Sequence, residues 1–215
     1  MNRPRRLVVC FGTATEVGKT WVGGQVLAGL RRRGWRVAAR KPAQSFDVEE
    51  PGPSDAEVLA TATGEDPRTV CAAERSYEVP MAPPMAAAAL DRPVPTLDEL
   101  VTAASGWPPG VDLGWVETVG GPRSPVAGDG DGVDLAAALA PDLTVLVADA
   151  GLGTVNAVRL SLAVLDRWPV VVLLNRYDPG DDLHRRNRAW LETHEGLGPL
   201  VETEALVDVL VSRFR

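Results

Sequence analysis

Cysteine is nearly missing from this sequence of 215 residues: Cys10 and Cys71 are the only two, and Cys10 falls in an apolar run. Two such thiols give neither a disulfide framework nor metal-ligand spacing. Histidine is as scarce. His184 and His194 sit in a charged stretch without partners at ligand spacing, so they read as surface residues rather than acid–base groups. Positive charge is in the minority, with 22 Lys and Arg against 29 Asp and Glu and a formal net charge of -7. That balance disfavours a general nucleic-acid surface. The arginines that do cluster, at Arg3, Arg5 and Arg6, at Arg31, Arg32 and Arg33, and at Arg185, Arg186 and Arg188, read as solvated helix or terminal faces. The apolar run that follows the basic start reaches the first glycine too soon to form the h-region of a signal peptide, so neither signal peptide nor membrane span is expected, and the expectation is a soluble, cytoplasmic protein. Asp129, Gly130, Asp131 and Gly132 lack the alternating ligands and terminal glutamate of a calcium loop and read as a turn.

What is present is concentrated in residues 7–33. The apolar run Leu7, Val8, Val9, Cys10 and Phe11 passes directly into Gly12-Thr13-Ala14-Thr15-Glu16-Val17-Gly18-Lys19-Thr20. Helical spacing follows at Val22, Val26, Leu27 and Leu30, closed by Gly34. Strand, glycine-bounded loop and helix in that order aim backbone N–H groups and a helix N-terminus at an anion; Lys19 adds charge for the outer phosphates of a nucleotide, and the Thr20 hydroxyl can reach Mg²⁺. The usual spacing, G-x-x-x-x-G-K-S/T, would want glycine at 13. Thr13 stands there and Gly12 comes one place earlier, so the loop is a longer variant. A structural turn with an exposed lysine is the competing reading.

The run 37–39 reads as a second strand parallel to the first, the two joined by the helix of a βαβ unit, and Pro42 ends it at Lys41. An open α/β sheet places ligands at the carboxyl ends of its strands. There stand Lys41, Ser45 and, after an acidic Gly/Pro-rich loop, Asp55. Ser54 caps a helix that Gly64 stops. Residues 65–110 are less regular, with helices over 85–90 and from Thr96 to Ala104, and with Met81 and Met85 as packing or pocket wall. Residues 111–117 read as a third strand ending on Glu117, with Gly120 and Gly121 beyond it. This carboxylate arrives at the same edge as Thr20 and Asp55, as Mg²⁺ on a nucleotide requires, since that ion takes oxygen ligands and keeps several waters. A capping or solvated carboxylate is the alternative at Glu117, and a favourable first-turn charge at Asp55. The continuous apolar runs 143–148 and 170–174 are buried strands, with a crossover helix over 156–167 between them. Asn175 and Arg176 follow at the rim, where an amide could read a base or simply form a turn. A charged helix over 181–194, a short strand at Leu200 and Val201 and a helix over 205–214 complete an α/β pattern. It predicts a P-loop NTPase-like three-layer fold with a mostly parallel central sheet, and 1–215 reads as a single domain.

Taken together, the loop from Gly12 to Thr20, Lys41-Pro42 with Ser45, Ser54-Asp55, Pro80-Met81-Ala82-Pro83, Val116-Glu117 with Gly120-Gly121, Leu152-Gly153-Thr154-Val155-Asn156 and Asn175-Arg176 resemble dethiobiotin synthetase, the ATP-dependent cyclo-ligase of biotin biosynthesis. The resemblance runs over nearly the whole chain. It implies that CO₂ and 7,8-diaminononanoate form a carbamate, that MgATP phosphorylates it, and that closure of the ureido ring expels phosphate. It implies that Glu16, Val17, Gly18, Lys19, Thr20 and Trp21 hold ATP with Gly120, that Thr20, Asp55 and Glu117 place Mg²⁺, and that Asn175 and Arg176 with Pro199 and Leu200 border the adenine. Lys41 would neutralise the carbamate and the moving phosphoryl group beside Lys19, Thr13 and Ser45 would bind the acceptor side, and Gly153, Thr154, Val155 and Asn156 would come from the partner subunit of a homodimer. Two places depart from the family pattern. Thr118 and Val119 stand where the family reads glycine and alanine, and Phe46 where glycine usually follows Ser45; branched residues at 118 and 119 could block an approach to backbone N–H groups that glycine allows. A related P-loop ligase or amidating enzyme with another acceptor remains open, as does a partitioning-type ATPase switch. The switch would want a second lysine in the loop, where Ala14 stands.

Overall fold

A computed structural model describes residues 3–49 and 51–215, so Glu50 of the acidic loop and the first two residues of the basic start lie outside the described residues. The central strand is β1 (Arg6–Gly12), buried from Leu7 onward. α1 (Lys19–Arg32) leads from it to β2 (Val37–Arg40). Next come β3 (Gln44–Ser45), α2 (Asp55–Thr63), α3 (Pro67–Val70), β4 (Ser76–Tyr77), α4 (Pro83–Ala89) and α5 (Leu97–Ala103). β5 (Leu113–Glu117) returns to the sheet, followed by the hairpin of β6 (Pro125–Ala127) and β7 (Gly130–Asp131) and by α6 (Gly132–Leu139). β8 (Leu143–Asp149), α7 (Thr154–Leu162), β9 (Val170–Asn175), α8 (Asp182–Glu195) and α9 (Thr203–Phe214) end the chain.

Five strands form one parallel sheet in the order β2-β5-β1-β8-β9. Because side chains alternate along a strand, β1 feeds two cores. Val8 and Cys10 pack with Val26, Leu27 and Leu30 of α1, Leu59 of α2 and Leu210 of α9. Val9 and Phe11 face Leu100 of α5, Leu135 of α6, Val158 of α7 and Leu191 of α8. Helices on both faces of a parallel sheet give the three-layer α/β architecture expected, and they explain why its strands read as continuous apolar runs. Among the described residues no helix is long and apolar enough to cross a membrane.

Local caps explain most helix starts. Ser54 with Glu57, Thr96 with Glu99 and Asp131 with Asp134 form reciprocal capping boxes, and Asp181 caps α8, each satisfying N–H groups that the helix leaves unpaired. α1 has no side-chain cap.

The structure departs from the sequence expectation at several elements. β2 is parallel to β1 as expected, and what the sequence did not announce is that β5 inserts between them and pairs with both. The crossover helix covers Thr154–Leu162 rather than 156–167; Leu165 keeps the apolar spacing but reaches the core from the turn that follows. Met81 and Met85 are 44% and 58% exposed, so they are not core packing. The irregular stretch 65–110 contributes β4, which pairs with β3. The acidic turn at 129–132 includes Asp131, the cap of a helix that the apolar pattern did not announce.

Candidate functional site

β1 delivers the chain to Gly12, and only glycine fits there. A Cβ would stand 2.7 Å from the Ala14 carbonyl oxygen and 2.8 Å from Val17 Cγ2. Gly18 adopts φ of +88°, the left-handed region that glycine enters without a Cβ penalty, and any Cβ would collide with the Asn175 amide. The uncapped first turn of α1 thereby keeps unpaired N–H groups and the positive end of its dipole for an anion. Lys19 opens that turn. Its buried ammonium donates across the loop to the Ala14 carbonyl oxygen at 3.1 Å. Burial, reinforced by the nearby Lys41 charge, lowers its pKa from the ordinary lysine value.

Four elements meet one turn further on. Thr20 comes from α1, Asp55 from the start of α2, Glu117 from the end of β5, and Lys41 from the residue after β2. Thr20 Oγ1 lies 2.7 Å from both Asp55 Oδ1 and Glu117 Oε1, so its one proton serves either carboxylate. Lys41 Nζ is 2.7 Å from Asp55 Oδ2 and 2.7 Å from Glu117 Oε1, and it also donates to the Thr118 carbonyl oxygen at 3.3 Å. Burial alone would lower the Lys41 pKa, but the two carboxylates outweigh it and hold the ammonium above its ordinary value. Burial works to raise the Asp55 pKa, and the Lys41 charge and hydrogen bonds from Lys41 and Thr20 overcome it, leaving the carboxyl below its usual range.

Two carboxylates and a hydroxyl are a sparse metal set, and among the described residues no group of three or more His, Cys, Asp and Glu is gathered. Mg²⁺ carried on a nucleotide asks for no more, because phosphate oxygens and water complete its octahedron. Glu117 is fully buried and its Oε2 has no hydrogen-bond partner among the described residues. A buried acceptor left unpaired is costly unless something joins it, and a cation beside Thr20 and Asp55 would.

The rim of the site is built by β9. Asn175 is buried and its Nδ2 donates to the Val17 carbonyl oxygen at 2.9 Å. Beside it opens a cavity of about 650 Å³, lined by Gly18, Trp21, Asn175, Tyr177, Val201 and Glu202 among others, within the range of small-molecule sites. Pro199 and Leu200 are not among its walls. Leu200 is stitched to β9, donating to the Val172 carbonyl oxygen and accepting from the Leu174 N–H, so the residues after it, through Glu204, close the cavity. Tyr177 and the 201–204 wall carry no motif in sequence. The place of the 201–204 wall depends on where α9 packs against α1.

Arg176 does more than border this cavity. Its guanidinium donates to Asp149 Oδ2 from Nε at 2.9 Å and to the Glu16 carbonyl oxygen at 3.0 Å. Arg176 and Glu16 both take left-handed backbone conformations, φ +57° and +58°, which non-glycine residues hold only when their surroundings impose it. This tie ends in the phosphate loop. Arg176→Met is therefore expected to raise KM for ATP about tenfold, the size of one lost charge-assisted hydrogen bond, with little change in melting temperature. Steady-state kinetics beside a melting curve would check this, and an unaltered KM would show that the loop holds its shape without the arginine.

The residues that depart from the family pattern are accommodated inward. The Thr118 N–H and hydroxyl both donate to the Cys10 carbonyl oxygen, at 3.0 and 3.1 Å, and Val119 packs on the core below α5 and α6. The chain then passes to Gly120 with φ of +54°, and Gly121 lies against the Thr13 backbone. Phe46 is half-buried, its N–H bonded to the Tyr77 carbonyl oxygen at 3.0 Å. Thr13 and Ser45 are half-buried on the loop after β1 and on β3, and neither is a partner of Lys41. Gly153 turns the chain into α7 with φ of +89°, Thr154 Oγ1 is buried without a partner among the described residues, and Leu152 is 92% exposed. Neither cysteine is poised as a nucleophile: burial pushes Cys10 well above its ordinary value and Cys71 up to about 12.

A family model described as an AAA domain matches residues 5–201. An ATP-dependent dethiobiotin synthetase from Haloferax mediterranei is 36% identical over 191 residues, 86% of this chain and 78% of that protein. One from Anaeromyxobacter dehalogenans is 39% identical over 176 residues, 80% and 77% of the two chains. Among solved structures, a plasmid partition protein from Borrelia burgdorferi matches with a TM-score of 0.59, covering 99% of this chain and 100% of that one at 11% identity. At that identity the likeness speaks to the fold alone.

Proposed function

Because the chain belongs to the AAA-domain family of ATP-binding P-loop proteins, alongside the dethiobiotin synthetases that match it at 36% and 39% identity, we propose that it carboxylates 7,8-diaminononanoate with CO₂ and MgATP and closes the ureido ring. The observation that supports this most is the meeting of Thr20, Asp55, Glu117 and Lys41 beside the phosphate loop. A ligase that activates a carbamate needs cations on both the nucleotide side and the acceptor side of the moving phosphoryl group. Lys19 stands on the first and Lys41 on the second.

In this reading Lys19 and the first turn of α1 bind the phosphates, Asn175 and Arg176 border the base, and Thr20, Asp55 and Glu117 hold Mg²⁺. The metal supplies charge compensation for the phosphoryl group. A carbamate oxygen, its charge offset by Lys41, attacks the γ-phosphorus as ADP leaves. The second amine of the substrate then attacks the carbonyl carbon, and phosphate departs as the ring closes. Bringing the two ends of one molecule together replaces a bimolecular encounter, which is worth several kcal/mol of barrier without a strong general base. Thr13 and Ser45 bind the acceptor, and Gly153, Thr154, Val155 and Asn156 reach the acceptor site of a second copy in a homodimer. The inward turn of Thr118 and Val119 supports an unobstructed approach at Gly120 and Gly121.

Purified protein given MgATP, bicarbonate and 7,8-diaminononanoate is expected to release phosphate only when the diamine is present and to yield the cyclic urea. Phosphate release without any acceptor would move the assignment to a nucleotide switch, a function compatible with the fold shared with the partition protein. Release driven by a different amine or carboxylate would assign a related ligase with a changed pocket.

A further inference from the structure

Lys41 is enclosed as few lysines are, its side chain 2% exposed, with its ammonium 2.7 Å from Asp55 Oδ2 and 2.7 Å from Glu117 Oε1. Those two carboxylates belong to the set that holds the metal in the reading proposed above, on which this inference rests. Thr20 approaches the same Glu117 Oε1 and the other Asp55 oxygen. Three of the four carboxylate oxygens are therefore already engaged by the protein's own groups, and of the four Glu117 Oε2 has no partner among the described residues.

Charge decides which cation can occupy such a place. Asp55 and Glu117 are balanced by Lys41 and Lys19. A free divalent ion would put two further positive charges beside two buried ammonium groups, where the effective dielectric is low and like charges repel strongly. A nucleotide triphosphate arrives with roughly four negative charges and reverses that balance, so metal and nucleotide are favoured together although the metal alone is not. We propose that Lys41 is the resident counter-ion of the metal site: it holds Asp55 and Glu117 in place of the divalent cation, excludes that cation until a nucleotide carries it in, and is released toward the phosphoryl acceptor by the exchange. One lysine thus links occupancy of the nucleotide site to the charge available for the acceptor.

Mn²⁺ serves as the probe, with bound and free ion counted by electron paramagnetic resonance on the intact protein. Without nucleotide the wild type is expected to show no saturable uptake below about 1 mM, the range in which a millimolar site begins to fill. Lys41→Met is expected to take up Mn²⁺ in the same conditions with a Kd at least tenfold lower. Its melting temperature should rise by roughly 5 °C at a hundredfold excess of ion over Kd. Glu117→Gln added to Lys41→Met is expected to remove that uptake, which ties the gained ion to Glu117, and the nucleotide-free wild type tests the proposal even if Lys41→Met folds poorly. Saturable Mn²⁺ uptake by the nucleotide-free wild type, or no gain in Lys41→Met, overturns the counter-ion role. A separate arm tests its foundation: with a non-hydrolysable ATP analogue the wild type should take up Mn²⁺ in a manner lost in Glu117→Gln. If that uptake is indifferent to Glu117, the metal assignment fails and takes this proposal with it; if it depends on Glu117 while the nucleotide-free wild type also binds, only the counter-ion role is lost.

Discussion

Lys19→Ala is expected to lower turnover by about a thousandfold while the protein remains folded, because phosphoryl transfer draws nearly all its catalysis from positioning and charge compensation. The stability side of this expectation comes from the surroundings of Lys19. Its ammonium is buried, its one hydrogen bond among the described residues goes to a neutral carbonyl at Ala14, and burial lowers its pKa. A cation held in that way is a burden on the empty protein. Its loss should leave the melting temperature unchanged or slightly higher, while nucleotide affinity and turnover both fall. Turnover, nucleotide titration and a melting curve on one preparation would separate the effects. A folded variant that turns over near the wild-type rate would remove the phosphate-loop assignment.

Glu117→Gln is the second large effect, and here activity and stability are expected to fall together. Glu117 is fully buried and its Oε1 is the point at which Thr20 and Lys41 converge. An amide still accepts a hydrogen bond but no longer balances Lys41, and breaking one side of a buried ion pair costs about 3–5 kcal/mol, of which the retained hydrogen bond and the remaining Asp55 contact should recover a part. At roughly 2–4 °C per kcal/mol for a chain of this size, the melting temperature should drop by several degrees. Turnover is expected to fall by about a hundredfold, with a higher Mg²⁺ concentration needed for half-maximal rate, because the proposed metal site would lose one of its two carboxylates. Asp55→Asn provides the contrast. Its side chain is 38% exposed, so water softens the loss and the stability change should be smaller than at Glu117. A Mg²⁺ dependence identical to the wild type in both variants would contradict the shared metal site.

The strand, loop and helix around Gly12, Gly18 and Lys19 were legible because their constraints are local. A glycine in the left-handed region, an uncapped first turn and an apolar strand are all decided within a few residues. The capped starts of α2 and α5 were legible for the same reason, at Ser54 and Thr96. The placing of Lys41, Asp55 and Glu117 on one edge followed from a rule of parallel sheets, that strand carboxyl ends share a side. Periodicity failed where burial persists after a helix has ended, as at Leu165, since it records which side chains are buried and not the backbone that carries them.

By itself the sequence determined that this chain forms a parallel α/β sheet with a nucleotide-phosphate loop, and it determined which ionisable residues reach the loop's edge. Tertiary structure alone decided how those residues pair. Lys41 meets Glu117 across 76 positions of chain, and Arg176 meets the Glu16 carbonyl across 160. The insertion of β5 between β2 and β1 makes the first contact, and the packing of β8 and β9 makes the second. The walls of the cavity beyond Leu200 were decided in the same way, by α9 lying against α1. The physical reason is one of range: backbone preference and burial act within a turn or a strand, whereas the strength of a charge pair depends on a separation of a few ångströms between side chains, which exists only once distant elements have packed.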